Sequence, residues 1–216
     1  MKNTTTFSAY WHVDNNTKLS AGKHLKCVAD KNLDFFFAES KHPSFKTINL
    51  KFDDLPSHKF INNLPKIKTH HDNVYLKFTH PIKSSAFVRL ATIWTSKILL
   101  FEKILEHTNA DYIMWTDCVR ATNKDIIYKT ASNKCAINKY SPDQLRGKIF
   151  GGMIENDLPS IKISASVIKL PRNIIKKFIE KYTECLRFVD NNFIIYDEEI
   201  VLTIMHDRYP QLFNLF

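Results

Sequence analysis

The run A-D-Y-I-M-W-T-D-C-V-R at residues 110–120 constrains the fold more than any other stretch of the chain. Tyr112, Ile113, Met114 and Trp115 are consecutive and apolar, a pattern that suits a strand covered on both faces, as in a parallel α/β sheet. Asp117 stands just past the end of that run. In open α/β sheets ligands bind in the crevice beyond the carboxyl ends of the strands, so a carboxylate delivered there is a candidate for ligand contact. A turn-starting or capping role is the alternative, because Asp is also common at turn starts.

The segments around this run fit alternating strands and helices. Residues 84–107 carry the strongest helical pattern, with Ser84 or Ser85 as cap and Phe87, Leu90, Ile93 or Trp94, Ile98, Phe101 and Leu105 recurring at three- and four-residue steps. A break is expected near Thr95-Ser96. Arg89 and Lys97 lie two turns apart, which places both cations on one side of this helix, beside the Asp117 strand. Snorkelling from the rim of the core is their alternative role. Upstream, residues 6–13 and 34–38 read as strands on either side of a helix at 19–31. No G-x-G-x-x-G turn follows the first strand, which argues against a glycine loop cradling phosphate. Residues 39–83 are rich in turn signals, with short strands expected near 46–51 and 74–78, and His70, His71 and His80 read as a surface cluster.

Downstream, residues 121–145 read as loop with a short strand or helix around Ile126–Tyr128. Gly151 and Gly152 interrupt an apolar strand in R-G-K-I-F-G-G-M-I-E, which marks a bulge or a close approach of a ligand to the backbone. Residues 162–169 read as a strand, Pro171 as the first-turn residue of a helix over 173–189, and Asp197-Glu198-Glu199 as the opening of a last helix closed by Pro210. Three acids at a helix start are favoured by its dipole, yet one suffices as cap. Neighbouring helical residues point about 100° apart, so the three cannot all face one crevice, and Asp197, nearest the preceding lead-in, is best placed, with Glu198 second.

Composition bounds the partners. The chain has 216 residues, 44% of them hydrophobic and 16 of them Phe, which favours one α/β domain with an aromatic-rich core and excludes a disordered chain. Lys and Arg outnumber Asp and Glu by 31 to 22, a formal charge of +9 that suits an anionic substrate or partner. Nucleic acid is the weaker form of that expectation: no RNP, zinc-finger or helix-turn-helix pattern occurs, and the aromatics sit in apolar periodic runs, not among the lysines. Cys27, Cys118, Cys135 and Cys185 show no C-x-x-C spacing and are expected as free thiols in a reducing compartment. No apolar run reaches the roughly 18 residues of a membrane span, so a cytoplasmic location is expected.

Four segments, S-K-I-L-L-F-E-K-I-L, Y-I-M-W-T-D-C-V-R, K-I-F-G-G-M-I-E and Y-D-E-E-I-V-L-T-I-M with Y-P-Q-L-F, resemble in order and interval the HtrL/YibB-like family and, more distantly, the GT-A glycosyltransferases. The resemblance covers residue 85 to the C-terminus. It implies a single GT-A-like, Rossmann-like domain, a mixed and mainly parallel sheet flanked by helices. It further implies a nucleotide-sugar donor and a glycan, lipid-linked or protein acceptor. Asp117 would stand at the first Asp of a D-x-D motif and Val119 at the second, which puts a Mn2+ or Mg2+ ligated by Asp117 in question. Donor contacts would then come from Asp117, Trp115, Arg89, Lys97, Arg120, Gly151 and Gly152. Asp197 or Glu198 would be the catalytic carboxylate. The competing readings are a GT-A-like binding protein without activity and a basic nucleic-acid-binding module.

Overall fold

The computed structural model describes residues 3–8, 35–37, 46–47, 50, 52–60, 84–117, 123–141, 162–192 and 198–216. Among the described residues seven strands form one sheet: β1 (Thr4–Phe7), β2 (Phe35–Phe37), β3 (Lys46–Thr47), β4 (Tyr112–Thr116), β5 (Cys135–Lys139), β6 (Ile163–Pro171) and β7 (Phe213–Leu215), in the order β3-β2-β1-β4-β6-β5-β7. β6 is antiparallel to both its neighbours, while the pairs β1–β2, β1–β4, β2–β3 and β5–β7 are parallel. The sheet is therefore mixed and mainly parallel, the α/β class expected from the sequence.

All five residues of β4 are buried, as its continuous apolar run requires. Alternation along β4 sends Ile113 and Trp115 to one face of the sheet and Met114 to the other. The first face is the larger. There α1 (Ser84–Leu105), α3 (Ile175–Asn192) and α4 (Glu198–Arg208) bury Ile98, Phe101, Phe178, Tyr182, Val201 and Met205 in one core with Phe7, Ile168 and Leu170. Phe7 stands edge-on to both Phe101 and Trp115, at 4.8 and 5.2 Å between ring centroids. On the second face the short helix α2 (Lys124–Lys129) adds Ile127 to Met114, Ala136 and Val167.

Several expectations need correcting. α1 continues through Thr95 and Ser96 without a break, because their hydroxyls bond back to the carbonyls of Ala91 and Thr92 at 2.8 and 2.7 Å. Ser96 also meets the Ser57 hydroxyl at 2.6 Å, so its polar atom ties the 3-10 turn Pro56–Lys59 to the helix. Residues 135–139, expected as loop, form β5 beside β6. Pro171 is the last residue of β6, not the first of a helix; the 3-10 turn Arg172–Ile174 intervenes before α3. α4 ends before Pro210, as expected, and beyond it Phe213–Leu215 adds a strand that pairs with β5. The expected helix at 19–31 and the strands near 74–78 and 149–154 lie outside the described residues.

Candidate functional site

The carboxyl end of β4 delivers Asp117, whose backbone N–H bonds the carbonyl of Ser166 on β6 at 2.8 Å. That bond extends the sheet pairing one residue past the strand and fixes where the carboxylate starts. Trp115 lies two residues earlier and so on the same face, and its indole Nε1–H donates to Asp117 Oδ1 at 2.8 Å. Lys97 from α1 approaches the same oxygen at 3.1 Å and sits 5.4 Å above the Trp115 ring. On its other side Lys97 Nζ donates to Glu198 Oε1, at the first residue of α4, at 2.6 Å.

Three elements that are distant in sequence thus meet at one ammonium. The Lys97 and Glu198 side chains are 7% and 5% exposed, and that of Asp117 is 37% exposed. Asp117 is the face of the cluster that solvent or a ligand reaches. Burial alone would strip the charge from Lys97, but Glu198 and Asp117 outweigh it and hold the ammonium above the ordinary lysine range. Burial pushes the Glu198 carboxyl up; Lys97 pulls it back, and the neighbouring Glu199 adds to the rise. Lys97 therefore serves as an internal counter-ion for both carboxylates. A buried pair of this kind is costly to break from one side, because an unpaired charge is left behind.

Glu199, next along α4, points elsewhere. It accepts the Tyr140 hydroxyl at 2.6 and 2.8 Å on its two oxygens and the Ala165 backbone N–H at 3.0 Å. Tyr140 follows β5 directly and lies at the same edge of the sheet as Asp117, since its N–H bonds the carbonyl of Lys162 just before β6.

Of the residues singled out in the sequence, Asp117, Trp115, Lys97 and Glu198 come together here. Arg89 lies in the first half of α1, and its side chain is outside the described residues, as are Arg120, Gly151, Gly152 and Asp197 altogether. Tyr140 was missed by sequence reasoning, and no pattern in its Lys- and Asn-rich surroundings marks it. Glu199 was noted only as one of three acids; its separate role is encoded in the rotation per residue, which turns it away from Glu198. Among the described residues no three Asp, Glu, His or Cys side chains converge to hold a metal ion. Asp117 Oδ1 is engaged by an indole N–H and an ammonium. Cys135 and Cys185 are free and buried, and burial raises both thiols, that of Cys185 to about 11, so neither is a thiolate nucleophile at neutral pH. A groove of about 540 Å³ lined by Asp111, Tyr112 and Arg172 lies at the opposite end of β4, away from the carboxylates. Among the described residues no helix is long and apolar enough to cross a membrane.

No protein-family model matches the chain, and no match is found among curated proteins. The chain is similar to a solved structure described as a glycosyltransferase involved in the glycosylation of the major capsid of PBCV-1, with a TM-score of 0.49 and 9% identity over 99% of this chain and 81% of that one.

Proposed function

We propose that the chain is a GT-A-like glycosyltransferase that binds a nucleotide-sugar beyond the carboxyl end of β4 and passes the sugar to a glycan, lipid-linked or protein acceptor. One observation carries the reading: a half-exposed Asp117 at the crevice edge of a mainly parallel sheet, held by Trp115 and Lys97 and facing the first turn of α4. The motif series from residue 85 onward, resembling HtrL/YibB-like proteins, supports the same class.

Sugar transfer breaks the bond between the anomeric carbon and the diphosphate oxygen while an acceptor hydroxyl forms the new one. The hydroxyl proton goes to a base and the nucleoside diphosphate leaves. In an inverting transfer the base is a carboxylate. Glu198 Oε1 is bound by the buried Lys97 ammonium, so Glu198 is the proposed holder of the counter-ion that orders the site, and Asp197, directly before α4, is the proposed base. Asp117 is the donor contact. Arg89 and Arg120 are the proposed cations for the departing diphosphate, and Gly151 and Gly152 the proposed backbone floor. No step runs through a metal.

The test is turnover of nucleoside diphosphate sugars by Asp197→Asn. We expect transfer to fall by about 10²-fold or more with donor affinity little changed, as for loss of a general base. Asn caps a helix about as well as Asp, so a cap-only role leaves turnover intact. The salt-bridged state of Asp117 also favours a second reading, a GT-A-like protein that binds a donor without transferring it. Saturable donor binding with no product in the wild-type protein identifies that case.

A further inference from the structure

Resting on the proposed function, a second feature of α4 bears on how its site is held. Glu199, Thr203 and Asp207 are spaced four residues apart and so form one stripe of the helix. All three meet the same place in the sheet. Glu199 takes the Tyr140 hydroxyl and the Ala165 N–H, the Thr203 hydroxyl accepts the Lys162 N–H at 3.1 Å, and Asp207 pairs with Lys162 Nζ at 3.0 Å. Tyr140 N–H in turn bonds the Lys162 carbonyl at 2.9 Å, so the stripe grips the point where β5 leaves and β6 returns.

Glu198 precedes this stripe by one residue, a turn of about 100° around the helix axis, and reaches Lys97. One rotational setting of α4 satisfies both sets of contacts. A roll or slide of the first turn that releases Glu199 from Tyr140 and Ala165 carries Glu198 away from Lys97. The Lys162–Asp207 end of the stripe is solvent-exposed, with side chains 47% and 45% exposed, whereas Glu199 is buried. The buried end, next to Glu198, is the one that sets the rotation.

We propose that Tyr140 and Glu199 are positioning residues of the site: they lock the first turn of α4 in the rotation that presses Glu198 onto Lys97 and thereby holds Lys97 against Asp117. Neither touches the reacting atoms. Tyr140 acts through Glu199, Glu199 through the helix backbone, and the helix through Glu198.

The test reads Lys97 itself, so it stands apart from whether any donor is found. In protein labelled with 15N-lysine, the Lys97 ammonium signal is identified by its loss in Lys97→Arg, and its exchange with water is measured in Tyr140→Phe, Glu199→Gln and Asp207→Asn. We expect exchange at least about tenfold faster in the first two, as local opening of the first turn exposes the ammonium, and unchanged in the third. Tyr140→Phe keeps the ring and removes one hydroxyl, so it gives the reading even where Glu199→Gln folds poorly. Wild-type exchange in Tyr140→Phe overturns the proposal. So does equal acceleration in Asp207→Asn, which indicates general loosening of α4. Where a donor is turned over, a fall in kcat at unchanged Tm in Tyr140→Phe supports positioning. Failure to find a donor overturns the functional reading and leaves this assignment to the exchange result.

Discussion

Lys97 sits deep on the helix face that packs against β4, and its ammonium lies 3.1 Å from Asp117 and 2.6 Å from Glu198. Surface ion pairs contribute little, typically below about 1 kcal/mol, but a buried one removed from one side leaves an uncompensated charge. Lys97→Met is therefore expected to lower the stability measured by urea unfolding by about 3–5 kcal/mol. A loss under about 1 kcal/mol would mean that the pair behaves like a solvated one. At this scale the sequence was informative about identity and less so about contact. Asp117, Trp115, Lys97 and Glu198 were each legible because an apolar run, a helical spacing or a helix start marked them. That Lys97 faces inward to Glu198, 101 residues away, was not legible, because spacing along a helix gives direction and not the partner it meets. Tyr140 had no local mark at all, being tied to Glu199 only by the β5–β6 pairing.

At the scale of elements, α2 is anchored by a second buried lysine on the opposite face of the sheet. Lys169 on β6 donates to the carbonyls of Tyr128 and Thr130 at 2.5 and 2.9 Å and lies 4.4 Å over the Tyr112 ring. Those carbonyls belong to the end of α2, where unsatisfied acceptors and the helix dipole both favour a cation. Burial nevertheless lowers its pKa to about 8. Between pH 8 and 10.5 the unfolded chain holds a proton that the folded one has released, so stability rises with pH across that window. In Lys169→Met the rise is absent. The difference between the two proteins, followed by urea unfolding from pH 7 to 10.5, should grow in favour of wild type above pH 8, and a constant difference contradicts the shift. Element legibility followed the strength of pattern. α1, α3 and β4 carry long or continuous apolar signals and were found; β5 was hidden because its buried Asn138 and its exposed Lys139 break the alternation expected of a strand. β7 is only three residues long, and Pro171 was misplaced because proline suits the end of a strand as well as the start of a helix.

At the scale of the molecule, one sheet order brings the ends of β4 and β5 and the start of β6 to a single edge, and α4 lays its first turn across them. The formal charge of +9 belongs to the whole chain, whereas among the described residues the core of the site holds Asp117, Glu198 and Glu199 with Lys97 as their cation. Asp117 itself offers an acceptor to hydroxyl groups more than a partner to phosphate, so attraction of an anionic donor falls to the proposed Arg89 and Arg120 and to the basic surface. The fold class followed from the continuous apolar run of β4 together with the helical and strand patterns around it; the antiparallel placing of β6 beside β4 is specified by no local pattern. The most direct measurement of the account is calorimetric titration of a panel of nucleoside diphosphate sugars into the wild-type protein and into Asp117→Asn. The account predicts saturable binding of at least one donor, weakened by about tenfold or more in Asp117→Asn, the equivalent of ~1.4 kcal/mol, with the thermal unfolding midpoint little changed. Binding of no donor, or the same affinity in both proteins, contradicts it.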